Sequence, residues 1–93
     1  MSLEFEWDDK KAATNLRLHG VSFEWAKGVF NDPFAIERLD DRFAYGEDRL
    51  IIVGLVGGDI LLVVYTERED RIRLISARRA TKNEQDDYYR QNS

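Results

Sequence analysis

The spacing of apolar residues along this chain changes character at Pro33. Before it, apolar positions recur at helical intervals; after it, they fall into short runs and alternations. "FEWDDKKAATNLRLHG" reads as a short entry segment followed by a helix. Asp8 or Asp9 caps the helix start, because a carboxylate accepts from free backbone N–H groups. Ala12, Ala13 and Leu16 form its expected apolar stripe, and Gly20 suits the positive φ of a helix exit. "VSFEWAKGVF" predicts a second helix, with Ser22 as N-cap and Phe23, Ala26, Val29 and Phe30 as its buried face.

Beyond the "NDPF" turn the period shortens. Residues 35–39 form a short candidate strand and residues 49–56 a stronger one. Gly57–Gly58–Asp59 signals a hairpin. Residues 60–66 are apolar on both faces, as in a central strand. "EREDR" makes the next turn and residues 71–77 the last strand. Thr81-x-x-Glu84 is a capping box that opens a C-terminal helix through about Arg90. The expected fold is α+β, with two N-terminal helices, an antiparallel sheet of three to four strands and a C-terminal helix.

The length of 93 residues fits one small domain, taken as residues 1–93. There are no cysteines, so neither a disulfide framework nor a thiolate metal site is available. The longest apolar run is far too short to cross a bilayer, and no signal-peptide pattern is present. A soluble cytoplasmic protein is the expectation.

The formal net charge of −4 argues against non-specific nucleic-acid binding when taken alone. The distribution changes that picture. Acids cluster in residues 4–9, 37–48 and 84–87, whereas bases concentrate in residues 68–82, with a smaller group at Lys10, Lys11 and Arg17. "RIRLISARRAT" lies in the basic stretch. Its alternation puts Ile72 and Leu74 on one strand face and Arg71 and Arg73 on the other. Arg78 and Arg79 follow near the expected start of the last helix, where free N–H groups also favour anions. A guanidinium suits phosphate because its planar fork donates paired hydrogen bonds. Edge-strand arginines also serve simply to solvate the edge or to pair with acids such as Glu67, Glu69 and Asp70. On periodicity alone that second reading is favoured.

Other candidates are weaker. His19 stands in a last helical turn, where a cation complements the helix dipole. The paired acids Asp8–Asp9, Asp40–Asp41 and Asp86–Asp87 lack a recognised metal-ligand spacing, so no metal or other cofactor is expected. Trp7 and Trp25 read as packing residues. Ser76 has no histidine partner nearby and is not a credible nucleophile.

"FEWDDKKAATNLRLHGVSFEWA", "VFNDP", "YGEDR" and "VVYTEREDRIRLISARRATKNE", in that order, resemble the BrnT family of toxins from bacterial type II toxin–antitoxin modules. The likeness runs from about Phe5 to Tyr89. It implies a RelE-like fold and a ribonuclease that arrests translation. It also implies a BrnA-like antitoxin with a ribbon-helix-helix domain, through which alone the complex would contact operator DNA.

The family block matches at Thr66, Glu67, Arg68, Arg71, Arg73, Ile75, Ser76, Ala77 and Arg78. Many members have histidine where this chain has Tyr65. With RNA as substrate, the resemblance shifts the arginines towards function. The expected catalytic set is Arg71, Arg73 and Arg78 for electrostatic stabilisation, with Glu67 or Tyr65 for proton transfer and no metal. Arg68, Arg79 and Lys82 are expected to contact substrate. A catalytically inactive member that acts only as an interaction partner in an operon-repressing complex is the alternative.

Overall fold

The computed structural model describes residues 3–40 and 48–93. Asp41 and the Tyr45, Gly46 and Glu47 of the "YGEDR" block lie outside the described residues. The elements in chain order are β1 (Glu4–Glu6), α1 (Asp9–His19), α2 (Phe23–Ala26), a 3-10 segment (Lys27–Asn31), β2 (Ile36–Leu39), β3 (Leu50–Val56), β4 (Asp59–Arg68), β5 (Arg71–Arg79) and α3 (Lys82–Gln91).

Local chemistry accounts for most boundaries. Asp8 caps α1 by accepting from the backbone of Lys10 and Lys11, and Gly20 ends it at a φ of 68°. Ser22 caps α2 through Trp25 N–H. Thr81 and Glu84 complete a reciprocal capping box at α3. Gly57 and Gly58 both take positive φ between paired Val56 and Asp59, which lets the β3–β4 hairpin close in two residues.

The sheet corrects the expectation of three to four antiparallel strands. Among the described residues it has five strands in the order β1-β5-β4-β3-β2, and it is mixed. The entry segment is itself a strand: β1 lies parallel to β5, with Glu4, Phe5 and Glu6 opposite Arg71, Ile72 and Arg73. The other neighbours are antiparallel. The second N-terminal helix is also shorter than expected, because a single turn of α2 tightens into the 3-10 segment. Its intended buried residues Phe23, Ala26 and Val29 nevertheless reach the core.

Side-chain alternation sends β3 and β4 into two cores. Ile52, Leu61, Val63, Tyr65, Ile72, Leu74 and Ala77 meet Val21, Phe23, Ala26 and Val29 on the α2 side. Ile51, Val53, Ile60, Leu62 and Val64 meet Ala80 and Tyr88 on the α3 side. Burial on both faces explains why β4 reads as an unbroken apolar run. Asp32 ties the layers together, accepting from Leu55 N–H, Phe34 N–H and the Tyr88 hydroxyl. Burial alone would raise its carboxyl; these hydrogen bonds outweigh that and hold it below the usual range.

Of the stripe expected for α1, Ala12 packs partly buried against the core, whereas Ala13 does not face inward. Leu16 is exposed and Asn15 is buried. The helix lies along the β5 edge, beyond the three residues covered by β1. What the open edge needs there is hydrogen-bonding partners more than apolar surface.

Candidate nucleic-acid interface

A single extra residue sorts the arginines. Tyr65 pairs with Leu74 and Val64 with Ser76, so Ile75 is the additional residue of a β-bulge. Past the bulge the alternation is reset. Arg78, opposite Leu62, projects to the α3 side, as do Arg73, opposite Thr66, and Arg71, opposite Arg68. Arg68, Arg71, Arg73 and Arg78 therefore share one face. Unbroken alternation would have placed Arg78 with Ile72 and Leu74. β5 also continues through Arg79, so both of the last arginines belong to the strand.

Acids on β1 and α3 hold Arg71, Arg73 and Arg78. Glu6 Oε2 accepts from Arg73 Nη1 at 2.8 Å. Arg71 stands 3.6 Å from both Glu4 and Glu6 carboxylate oxygens. The Arg73 hydrogen bond is the main reason that Glu6 is held below the usual carboxylate range. Arg78 makes a two-pronged contact with Glu84, at 2.8 and 2.9 Å. That fork, aided by Thr81, lowers the Glu84 carboxyl from 4.5 to about 2. These partners of Arg71, Arg73 and Arg78 come from β1 and α3. Lys82, the first residue of α3, is exposed and bonded to Asp86 at 3.0 Å.

Other expected site residues lie across the sheet. Arg79, opposite Leu61, projects to the α2 side, and its guanidinium sits 5.1 Å from the Trp25 ring centroid. Tyr65 and Glu67 alternate with Thr66 and share the α2-side face. The Tyr65 ring meets Phe30 edge-on, and its hydroxyl donates to Glu37 Oε1 at 3.1 Å. Burial first, then the Glu37 and Glu67 charges, pushes that hydroxyl far above its ordinary value, so it keeps its proton at neutral pH. Tyr65 and Glu67 line a cavity of about 530 Å³ that also holds Glu37, Glu69 and Asp70. Arg71 borders it, but the surrounding carboxylates make it hostile to a phosphodiester.

The arginine face has a second basic wall. Between Arg73 and Arg78, the bulge residues Ile75 and Ser76 floor a groove of about 340 Å³ against α1. Lys10, Lys11, Thr14 and His19 line its far side. His19 does stand in the last turn of α1, as a dipole partner should, but it also borders this groove. Glu6 and the two lysines were not singled out from sequence as site residues. The signal was the basic pair one turn past "FEW", legible only once β1 is known to lie beside β5.

Among the described residues, no helix is long and apolar enough to cross a membrane. No curated protein matches the chain. A family model described as the ribonuclease toxin BrnT of type II toxin–antitoxin systems matches residues 7–84. That match spans both the α1 wall and the arginine strand, and the chain belongs to the BrnT family of ribonuclease toxins.

Proposed function

We propose that this protein is a metal-independent endoribonuclease that cuts RNA on the arginine face of β5. It arrests translation in the cytoplasm until a ribbon-helix-helix antitoxin covers that face. The observation that carries this reading is the convergence produced by the Ile75 bulge. Arg71, Arg73 and Arg78 project to one face of β5, and the bulge residues between Arg73 and Arg78 border a groove that Lys10 and Lys11 line. Arg71 and Arg73 are two residues apart on a strand, roughly 7 Å, so both long side chains can reach one phosphodiester between them. Arg78 lies farther along the same strand, and Arg68 stands opposite Arg71 on β4.

RNA carries its own nucleophile in the 2′-hydroxyl. A protein catalyst must supply charge stabilisation at phosphorus, a base and a proton for the leaving oxygen. Arginines meet the first need without a metal ion, because each stays cationic and presents a fixed donor fork. Glu6 and Glu84 hold the forks in place in the free protein. The carboxylates also lower the net charge of the face, which limits its non-specific attraction for RNA.

The test is cleavage of RNA by the purified protein in the presence of a chelator. Arg73→Ala should lower the rate by about 100-fold or more, the effect of losing one preorganised donor, while the fold and antitoxin binding persist. Wild-type rates in folded Arg73→Ala and Arg78→Ala would overturn the reading. An intact antitoxin complex together with no RNA cleavage by the wild type would favour the interaction-only alternative.

A further inference from the structure

We propose that Glu6 is the general base of RNA cleavage, taking the proton from the attacking 2′-hydroxyl. This inference rests on the arginine face being the RNA site. It begins with the parallel pairing of β1 and β5, which sets Glu6 directly beside Arg73.

A base must stand among the cations that hold the phosphate and keep one oxygen available for a proton. The carboxylates beside the arginines differ in this respect. Glu84 is saturated: Oε1 accepts from Arg78 and from Thr81 N–H, and Oε2 accepts from Arg78. Glu4 meets Arg71 at 3.6 Å and leans into solvent with a side chain 66% exposed. Glu67 projects from the opposite face of the sheet. Glu6 is different. Its Oε2 is bonded to Arg73, its Oε1 lies 3.6 Å from Arg71, and its side chain is 28% exposed. One oxygen is anchored on Arg73, and the other stands at the longer distance from Arg71 on a side chain that is partly exposed.

Glu6 Oε1 accepts the 2′-hydroxyl proton as the 2′-oxygen forms its bond to phosphorus. The P–O5′ bond breaks, and the departing 5′-oxygen takes a proton from water. The products are a 2′,3′-cyclic phosphate and a 5′-hydroxyl end. Glu6 then returns its proton to solvent. Arg71 and Arg73 carry the added charge on the phosphoryl oxygens throughout. Glu6 is a carboxylate at neutral pH and so can accept a proton, and Arg73 beside it holds it below the usual carboxylate range.

The experiment compares Glu6→Gln, Glu6→Asp and Arg73→Ala. It measures cleavage of an RNA and binding of the same sequence carrying 2′-O-methyl groups, which cannot react. Glutamine preserves an acceptor for Arg73 but cannot take a proton at neutral pH. Glu6→Gln should therefore lose about 100-fold or more in cleavage rate while binding the unreactive RNA at least as tightly as wild type. Glu6→Asp should recover part of the lost rate. If Glu6→Gln cleaves within a few-fold of wild type, Glu6 only positions Arg73 and the proposal fails. If it cleaves faster, Glu6 is a competitor of phosphate and the proposal fails. Either result with an inactive Arg73→Ala leaves the arginine-face reading standing. A fully active Arg73→Ala removes that reading and this proposal together.

Discussion

The side-chain amide of Asn15 pairs with the backbone of Ala77 as a neighbouring strand would. Asn15 Nδ2 donates to Ala77 O at 2.8 Å, and Ala77 N–H donates to Asn15 Oδ1 at 3.0 Å. A further bond to Val21 O fixes the turn after α1. Asn15→Ala leaves buried backbone groups at the β5 edge without partners. Stability should fall by about 2–4 kcal/mol, lowering the thermal midpoint by roughly 10–25 °C. Thermal unfolding followed by circular dichroism checks this; a midpoint within a few degrees of wild type would show that the amide does not close the edge.

Arg78 and Arg79 are sequence neighbours with opposite expected phenotypes. Arg78→Ala should lower RNA cleavage by about 100-fold. Arg79→Ala should cleave as wild type and lose only about 0.5–1 kcal/mol of stability, the worth of an exposed cation–π contact with Trp25. Cleavage assays and denaturant titrations on the two variants separate the effects.

Tyr65 makes a discriminating substitution because its hydroxyl lies on the far face. Tyr65→Phe keeps the ring contact with Phe30 and removes the hydrogen bond to Glu37. It should leave kcat/KM within about a factor of three of wild type, since no interaction with the reacting phosphate is lost. A loss of two orders of magnitude would return Tyr65 to the catalytic set.

Glu84 supplies an acid-sensitive part of the stability. Its folded value near 2 lies below its ordinary 4.5, so its contribution is complete above about 4.5 and disappears as pH falls towards 2. Glu84→Gln should be less stable than wild type by about 1–2 kcal/mol near neutrality. The gap should close on acidification. Glu6 and Asp32 are also lowered, so the wild type weakens in acid through several groups. Midpoints of both proteins measured across this range isolate the Glu84 part.

Gly28 is required by the closeness of the 3-10 segment to β3. A Cβ there would lie 2.7 Å from Val56 Cγ1. Gly28→Ala should cost about 1–3 kcal/mol by overpacking. Adding Val56→Ala should recover part of that loss, with a coupling of about 1 kcal/mol in a double-mutant cycle. Purely additive losses would place the strain elsewhere.

The caps at Asp8, Ser22 and Thr81, the glycine exit at Gly20 and the Gly57–Gly58 hairpin were all readable because each is settled within a few residues. So was the central place of β4, since burial on both faces leaves an apolar run. The α1 stripe misled because helical period reports a preference for apolar contact. It does not reveal that a helix will lie against a sheet edge whose backbone groups need Asn15.

The arginines show the same division more sharply. By itself the sequence determined that five arginines gather at residues 68–79 and that Ile72 and Leu74 face inward. Tertiary structure decided which arginines act together and which acids meet them. The bulge at Ile75 depends on how β5 aligns with β4, and Glu6 reaches Arg73 only because the first strand pairs with the last. Alternation follows from the geometry of one strand, whereas register and edge pairing depend on residues far apart in the chain.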